Sequence, residues 1–195
     1  MTGDDATQAP GTLVLVAGPS GAGKDTLLAG ARARLAHDPG VVFVRRTITR
    51  AADAGGEAHD PMTPEAFAEA EAAGAFALSW RAHGLAYGLP AAIGKDLAAG
   101  RVVVANVSRT VADEARARWP RVLAVLITAS PDILARRLAA RGREGGQALR
   151  DRLARAAEGE AVFAPDVRIL NDGVPEDGIA ALVEALQAVR PARTG

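Results

Sequence analysis

The sequence predicts an α/β protein of three layers, a mainly parallel sheet covered by helices on both faces. Three observations carry that expectation. Short apolar runs rich in β-branched residues recur along the chain, and segments with helical spacing lie between them. The first run also leads straight into a glycine-rich loop that opens a helix. At 195 residues the chain suits one domain with a substantial core, assigned to residues 11–190.

TLVLVA (12–17) supplies the first strand, and residues 23–36 the first helix, with Leu27, Leu28, Ala31 and Leu35 on one side. Further strands are expected at VVFV (41–44), FALSW (76–80), VVVANV (102–107), VLAVLI (122–127) and VRIL (167–170). Helical patterns fall at 64–73, 90–99, 109–118, 131–141, 147–158 and 176–189, and Ser130-Pro131 reads as an N-cap followed by a first-turn proline. Two regions break the rhythm. Residues 45–90, rich in Arg, Gly and His and with only weak strands expected, suggest an inserted substrate-binding lobe. Residues 136–155 hold seven arginines around RGREGGQ (141–147), whose glycines suit the hinge of a mobile arginine-rich lid. Residues 1–10 and 191–195 are expected to be disordered tails.

The formal net charge is zero, which gives no reason to expect nucleic acid or an anionic membrane as partner. Cysteine is absent, excluding disulfides and thiolate metal sites and fitting a reducing compartment. No signal-peptide pattern and no apolar run of membrane-spanning length occurs, so a cytoplasmic protein is expected. Oligomeric state stays open, with a dimer possible.

Residues 18–24, GPSGAGK, have the GxxxxGK spacing of a phosphate-binding loop between a strand and a helix, which places the fold among the P-loop NTPases and makes ATP the expected ligand. Gly18, Gly21 and Gly23 let the backbone N–H groups wrap a phosphate, with Pro19, Ser20 and Ala22 completing the turn. Lys24 can reach the β- and γ-phosphates. A serine or threonine normally follows the lysine, and here Asp25 does. A carboxylate beside a triphosphate repels it unless a divalent cation lies between, so Asp25 is expected to hold Mg2+. The competing role is a charge favourable to the helix N-terminus. Thr26, about 100° further round the helix, is poorly placed to replace it. The strand VVVAN ends at Asn106, where many such enzymes present a metal-holding acid; Asp25 is expected to restore the missing charge.

Taken together, GPSGAGK, TITR (47–50), GGE (55–57), AYG (86–88), RRLAARG (136–142) and Asn171-Asp172 resemble the guanylate kinase-like family of P-loop kinases in content and order. Within it the chain is most similar to the ribose 1,5-bisphosphate phosphokinases, which share the aspartate of GPSGAGKD and a segment like VVVANVSR (102–109). The resemblance implies transfer of the γ-phosphoryl group of ATP to ribose 1,5-bisphosphate, in phosphonate breakdown. It also implies that Arg50 grips the acceptor phosphate, that Tyr87 contacts phosphate (packing beside Trp80 being the competing role), that Arg137 and Arg141 close over the triphosphate with Arg152 in the lid's second half, and that Asn171 and Asp172 border adenine, with capping of the next turn as their competing role. His59 stands where the family often has tyrosine and is a candidate donor to a ribose hydroxyl or phosphate.

The acceptor region departs from a guanine-reading pattern. Guanine needs acceptors for its N1–H and amino group, yet from Gly74 to Arg109 the sole acid is Asp96. Ser79 stands near the family's glutamate, Leu89 follows Tyr87-Gly88, Asn106 replaces an aspartate, and Ala52 and Asp53 replace the second arginine motif. The same stretch offers Arg81, His83 and Arg109, some subset of which is expected to hold the second phosphate of a phosphorylated ribose. The alternatives are a guanylate-type nucleoside monophosphate kinase and, from another class, a non-catalytic nucleotide-binding scaffold.

Overall fold

Two sheets organise the chain in the structure, a computed structural model that describes residues 9–51, 58–140 and 163–191. The larger has five parallel strands. Its centre is β1 (Thr12–Ala17), every residue of which is buried. In chain order β2 (Val41–Phe43), β7 (Val102–Asn106), β8 (Val122–Thr128) and β9 (Val167–Leu170) complete it, in the spatial order β2-β7-β1-β8-β9. Alternation along β1 divides the core. Leu13 and Leu15 face a cluster with Ile93, Val111 and Ala115, while Val14 and Val16 face Leu27, Ala31, Ile179 and Leu182. The first set lies under α3 (Ile93–Ala98) and α4 (Ala112–Arg118), the second under α1 (Lys24–Arg34) and α6 (Pro175–Ala188). These are the expected three layers. Helices α1 and α6 approach closely at Gly178, where a Cβ would lie 2.7 Å from Leu27 Cδ2.

The second sheet comprises β3 (Thr47–Ile48), β4 (Asp60–Pro61), β5 (Phe76–Ala82) and β6 (Leu85–Pro90) in the order β4-β3-β6-β5. Helix α2 (Pro64–Ala72) joins β4 to β5 and is capped by Thr63, whose Oγ1 accepts from Ala66 N at 3.2 Å. Strand structure here exceeds the expectation. LAYGLP forms β6, although glycine, proline and alanine dilute its β-propensity, because β5 pairs with it through Ala82. The connecting turn, His83-Gly84, has φ of 52° and 73°, the left-handed pair that a tight hairpin requires. Two helices also start later than their apolar patterns suggest: α3 opens at Ile93, after the end of β6, and a 3-10 turn, Arg109–Val111, precedes α4. Helix α5 (Pro131–Ala140) follows β8 as expected. The helix at 147–158, the hinge at 141–147 and the residues of GGE lie outside the described residues.

Candidate active site

The glycine-rich loop leaves the C-terminal end of the central strand, where open parallel sheets bind ligands. Gly18 passes so near β8 that a Cβ would sit 1.9 Å from the carbonyl oxygen of Ile127. Gly21 and Gly23 hold φ of 87° and 85°, so the turn into α1 needs residues without a Cβ. Gly18→Ala is therefore expected to destabilise the fold by about 3 kcal/mol, read as a lower urea midpoint at unchanged slope.

Three side chains brace this loop. Lys24 Nζ donates to Gly18 O at 2.8 Å and Pro19 O at 3.0 Å. Arg137 Nη1, from α5, donates to Gly21 O at 3.4 Å. Asn171 Nδ2 donates to Ala22 O at 2.8 Å, and Asn171 is buried, with its Oδ1 lacking a hydrogen-bond partner among the described residues. Asp172 Oδ1 accepts from Ser130 N at 2.7 Å, at the head of α5. In this arrangement the two residues expected beside the base serve the framework: Asn171 ties down the loop, and Asp172 satisfies an N–H at a helix start. Ser20 is exposed at the bend of the loop, and Thr26 is exposed on α1. Arg141 and Arg152 lie outside the described residues.

Asp25 is exposed on the first turn of α1, and Gly23 before it provides no side-chain cap. With Asn106 at the end of β7 it lines a cavity of about 320 Å³. Pairing of Phe43 with Val104 brings β2 and β7 side by side, so the chain after β2 forms the opposite wall. That wall includes Arg46, and α1 adds Arg32. The Arg46 guanidinium lies 5.7 Å from the Trp80 ring centre and 5.1 Å from that of Tyr87. Those rings are cross-strand neighbours, stacked at 5.5 Å and 4°. Two aromatic faces thus hold Arg46 by cation–π attraction while it borders the cavity. Sequence reasoning passed over Arg32 and Arg46. The available signal for Arg46 was its place just beyond a parallel strand's C-terminal end, before TITR; Arg32 carried none.

The expected second-phosphate ligands are scattered. Arg81 donates to both carboxylate oxygens of Glu71, at 3.1 and 2.6 Å, and lies 5.1 Å from the Phe67 ring centre. The hydrogen bonds from Arg81 and then Ser79 hold the Glu71 carboxyl below its ordinary value. His83 is exposed at the hairpin tip. Arg109 opens the 3-10 turn after β7 and is half-buried. Arg50, by contrast, is half-buried next to His59, with Nη2 3.3 Å from the imidazole Nδ1, and its own Nε has no hydrogen-bond partner among the described residues.

Comparison with known proteins follows the same lines. A "Ribose 1,5-bisphosphate phosphokinase PhnN" of Methylobacterium radiotolerans is 55% identical over 179 residues, covering 92% of this chain and 99% of that one. Another of the same description, from Rhodopseudomonas palustris, is 50% identical over 182 residues, covering 93% and 91%. The chain belongs to the ribose 1,5-bisphosphate phosphokinase family. A "Bifunctional ribose 1,5-bisphosphokinase-thymidine phosphorylase" from Cupriavidus necator is 48% identical over 92% of this chain, which spans 30% of that longer protein. No protein-family model matches. Among solved structures, a guanylate kinase from Anaplasma phagocytophilum matches with a TM-score of 0.71 over 96% of this chain and 89% of that one. Its 20% identity speaks for the fold alone. Membership of a phosphokinase family agrees with a GxxxxGK loop at the C-terminal end of the central strand, and no helix among the described residues is long and apolar enough to cross a membrane.

Proposed function

We propose that this chain transfers the γ-phosphoryl group of ATP to the 1-phosphate of ribose 1,5-bisphosphate, giving 5-phosphoribosyl 1-diphosphate and ADP, within phosphonate catabolism in the cytoplasm. The carrying observation is the cavity beside the phosphate loop. Its lining contains two guanidinium groups, Arg32 and Arg46, and one acid, Asp25, on the side of the loop. Arginine pairs favour a second phosphate, and the guanine-reading acids are missing. Residues 45–90 then act as the acceptor lobe and 136–155 as the lid.

No nucleophilic side chain is needed, since an acceptor phosphate is already anionic at neutral pH and catalysis is positioning and charge stabilisation. Lys24 binds the transferring group, and Arg137 supplies a second cation from above Gly21. Arg50 holds the acceptor phosphate. We assign the 5-phosphate to Arg46 and Arg32 in place of Arg81, whose guanidinium is taken by Glu71, and His83, which is exposed at a turn; Arg109 is a further candidate. A magnesium ion, when bound, neutralises charge on the triphosphate. Asp25 and Asn106 fit it as hard oxygen donors on one cavity wall, and phosphate oxygens and water must complete its shell, since no cluster of three acidic, histidine or cysteine groups occurs among the described residues.

Incubation with Mg-ATP and, separately, ribose 1,5-bisphosphate, ribose 5-phosphate, GMP or dGMP, read by ³¹P NMR, tests the assignment. A new diphosphate on C1 of the sugar is expected, and GDP as the main product overturns it. Asp25→Ala is expected to raise the magnesium concentration for half-maximal rate about tenfold. An unchanged magnesium titration would leave Asp25 only its helix-terminal role.

A further inference from the structure

His59 lies just before β4 and is 5% exposed. Its ring meets Arg50 twice: Nδ1 is 3.3 Å from Nη2 of Arg50, and Nε2 is 3.2 Å from the Arg50 carbonyl oxygen. A guanidinium offers only hydrogens, and a carbonyl offers only lone pairs. Both contacts are hydrogen bonds together in one form of the ring, the neutral one with its proton on Nε2 and a lone pair on Nδ1. The histidine is itself anchored. Its carbonyl oxygen accepts from Arg45 Nη2 at 2.8 Å, Arg45 pairs with Asp60 at 3.0 Å, and Asp60 N donates to Arg46 O at 2.9 Å.

A buried atom of Arg50 is left over. Its Nε has no hydrogen-bond partner among the described residues. Buried donors are almost always paired, and the acceptor best matched to a guanidinium edge is an anionic oxygen. We propose that His59 is a positioning residue, which in its Nε2–H form holds Arg50 by head group and backbone so that Nε–H meets an oxygen of the acceptor phosphate. The tyrosine-like role expected from the sequence, direct contact with the ligand, is replaced by an indirect one, because both ring nitrogens already serve Arg50. The identity of the acceptor rests on the kinase reading above; the geometry of the pair does not.

Three measurements decide it. Long-range ¹H–¹⁵N correlation at neutral pH, assigned with a His59→Phe sample, should show the His59 ring as the Nε2–H tautomer; the Nδ1–H tautomer or a charged ring overturns the proposal. In steady-state kinetics His59→Phe should raise the acceptor KM about tenfold while the ATP KM stays within about twofold. His59→Gln, whose amide offers one acceptor and one donor, should recover to within about threefold of wild type. Equal losses in both variants would mean that the imidazole itself touches ligand, and no loss in either would remove the role; each result sinks the idea. Where the phenylalanine variant fails to fold, Arg50→Lys, which keeps the charge but lacks Nε, should raise the acceptor KM alike, and an unchanged KM there counts against the Nε contact. If wild-type protein makes no diphosphate from ribose 1,5-bisphosphate, the kinase assignment falls while the tautomer still judges His59.

Discussion

Lys24→Ala is expected to lower kcat about a thousandfold while leaving a folded protein. The size follows from the chemistry. Negative charge shifts between oxygens as the phosphoryl group moves, and a fixed cation placed there acts in a site from which water is excluded. Survival of the fold follows from how the loop is held. Without Lys24 the carbonyls of Gly18 and Pro19 lose one donor, at a cost of about 1 kcal/mol. The remaining braces persist: Ala22 N to Pro19 O at 3.3 Å, Asn171 to Ala22, and Arg137 to Gly21. Lys24→Arg should fail nearly as badly, because a planar fork does not fit where a tetrahedral ammonium donates to two adjacent carbonyls. Single-turnover kinetics beside a thermal melt checks both halves; a kcat within tenfold of wild type would remove Lys24 from the transition state.

What the sequence disclosed and what it hid divide along a physical line. VVVAN and VLAVLI were legible as strands because both of their faces are covered, which makes a parallel strand read as an unbroken apolar run. LAYGLP has no such signature; its pairing with β5 makes it a strand, Trp80 lying against Tyr87. The phosphate loop was legible since its spacing is local. The cavity was not, since Asp25, Arg46 and Asn106 come from three parts of the chain that meet only through the β1–β7 and β2–β7 registers. Asn171 shows the same limit. Its place after the last strand was evident, whereas its burial under Gly23, where a Cβ would lie 2.4 Å from Nδ2, depends on how β9 joins β8.

Arg46→Ala is expected to lower kcat/KM for the sugar bisphosphate about a hundredfold and to leave the ATP KM in place. A guanidinium gives a phosphate two parallel charge-assisted hydrogen bonds, and each such bond is worth about 1.5–3 kcal/mol where water is excluded. Arg46 meets that condition better than a free surface arginine, because the Trp80 and Tyr87 rings hold its plane beforehand and little side-chain entropy is left to lose. Arg46→Lys should recover only part of the loss, since an ammonium keeps the charge but not the fork. Arg81→Ala is the contrasting case: its guanidinium is spent on Glu71 at the lobe surface, so the acceptor KM should stay within about twofold. It should instead remove the acid sensitivity that the pair brings. The lowered carboxyl of Glu71 contributes stability above the ordinary carboxylate range, which is lost as pH falls through its folded-state value. Were the two kinetic results exchanged, with Arg81 essential and Arg46 dispensable, the bisphosphate would have to enter from the outer face of the lobe, and the cavity between α1 and β2 would lose its claim to be the acceptor pocket.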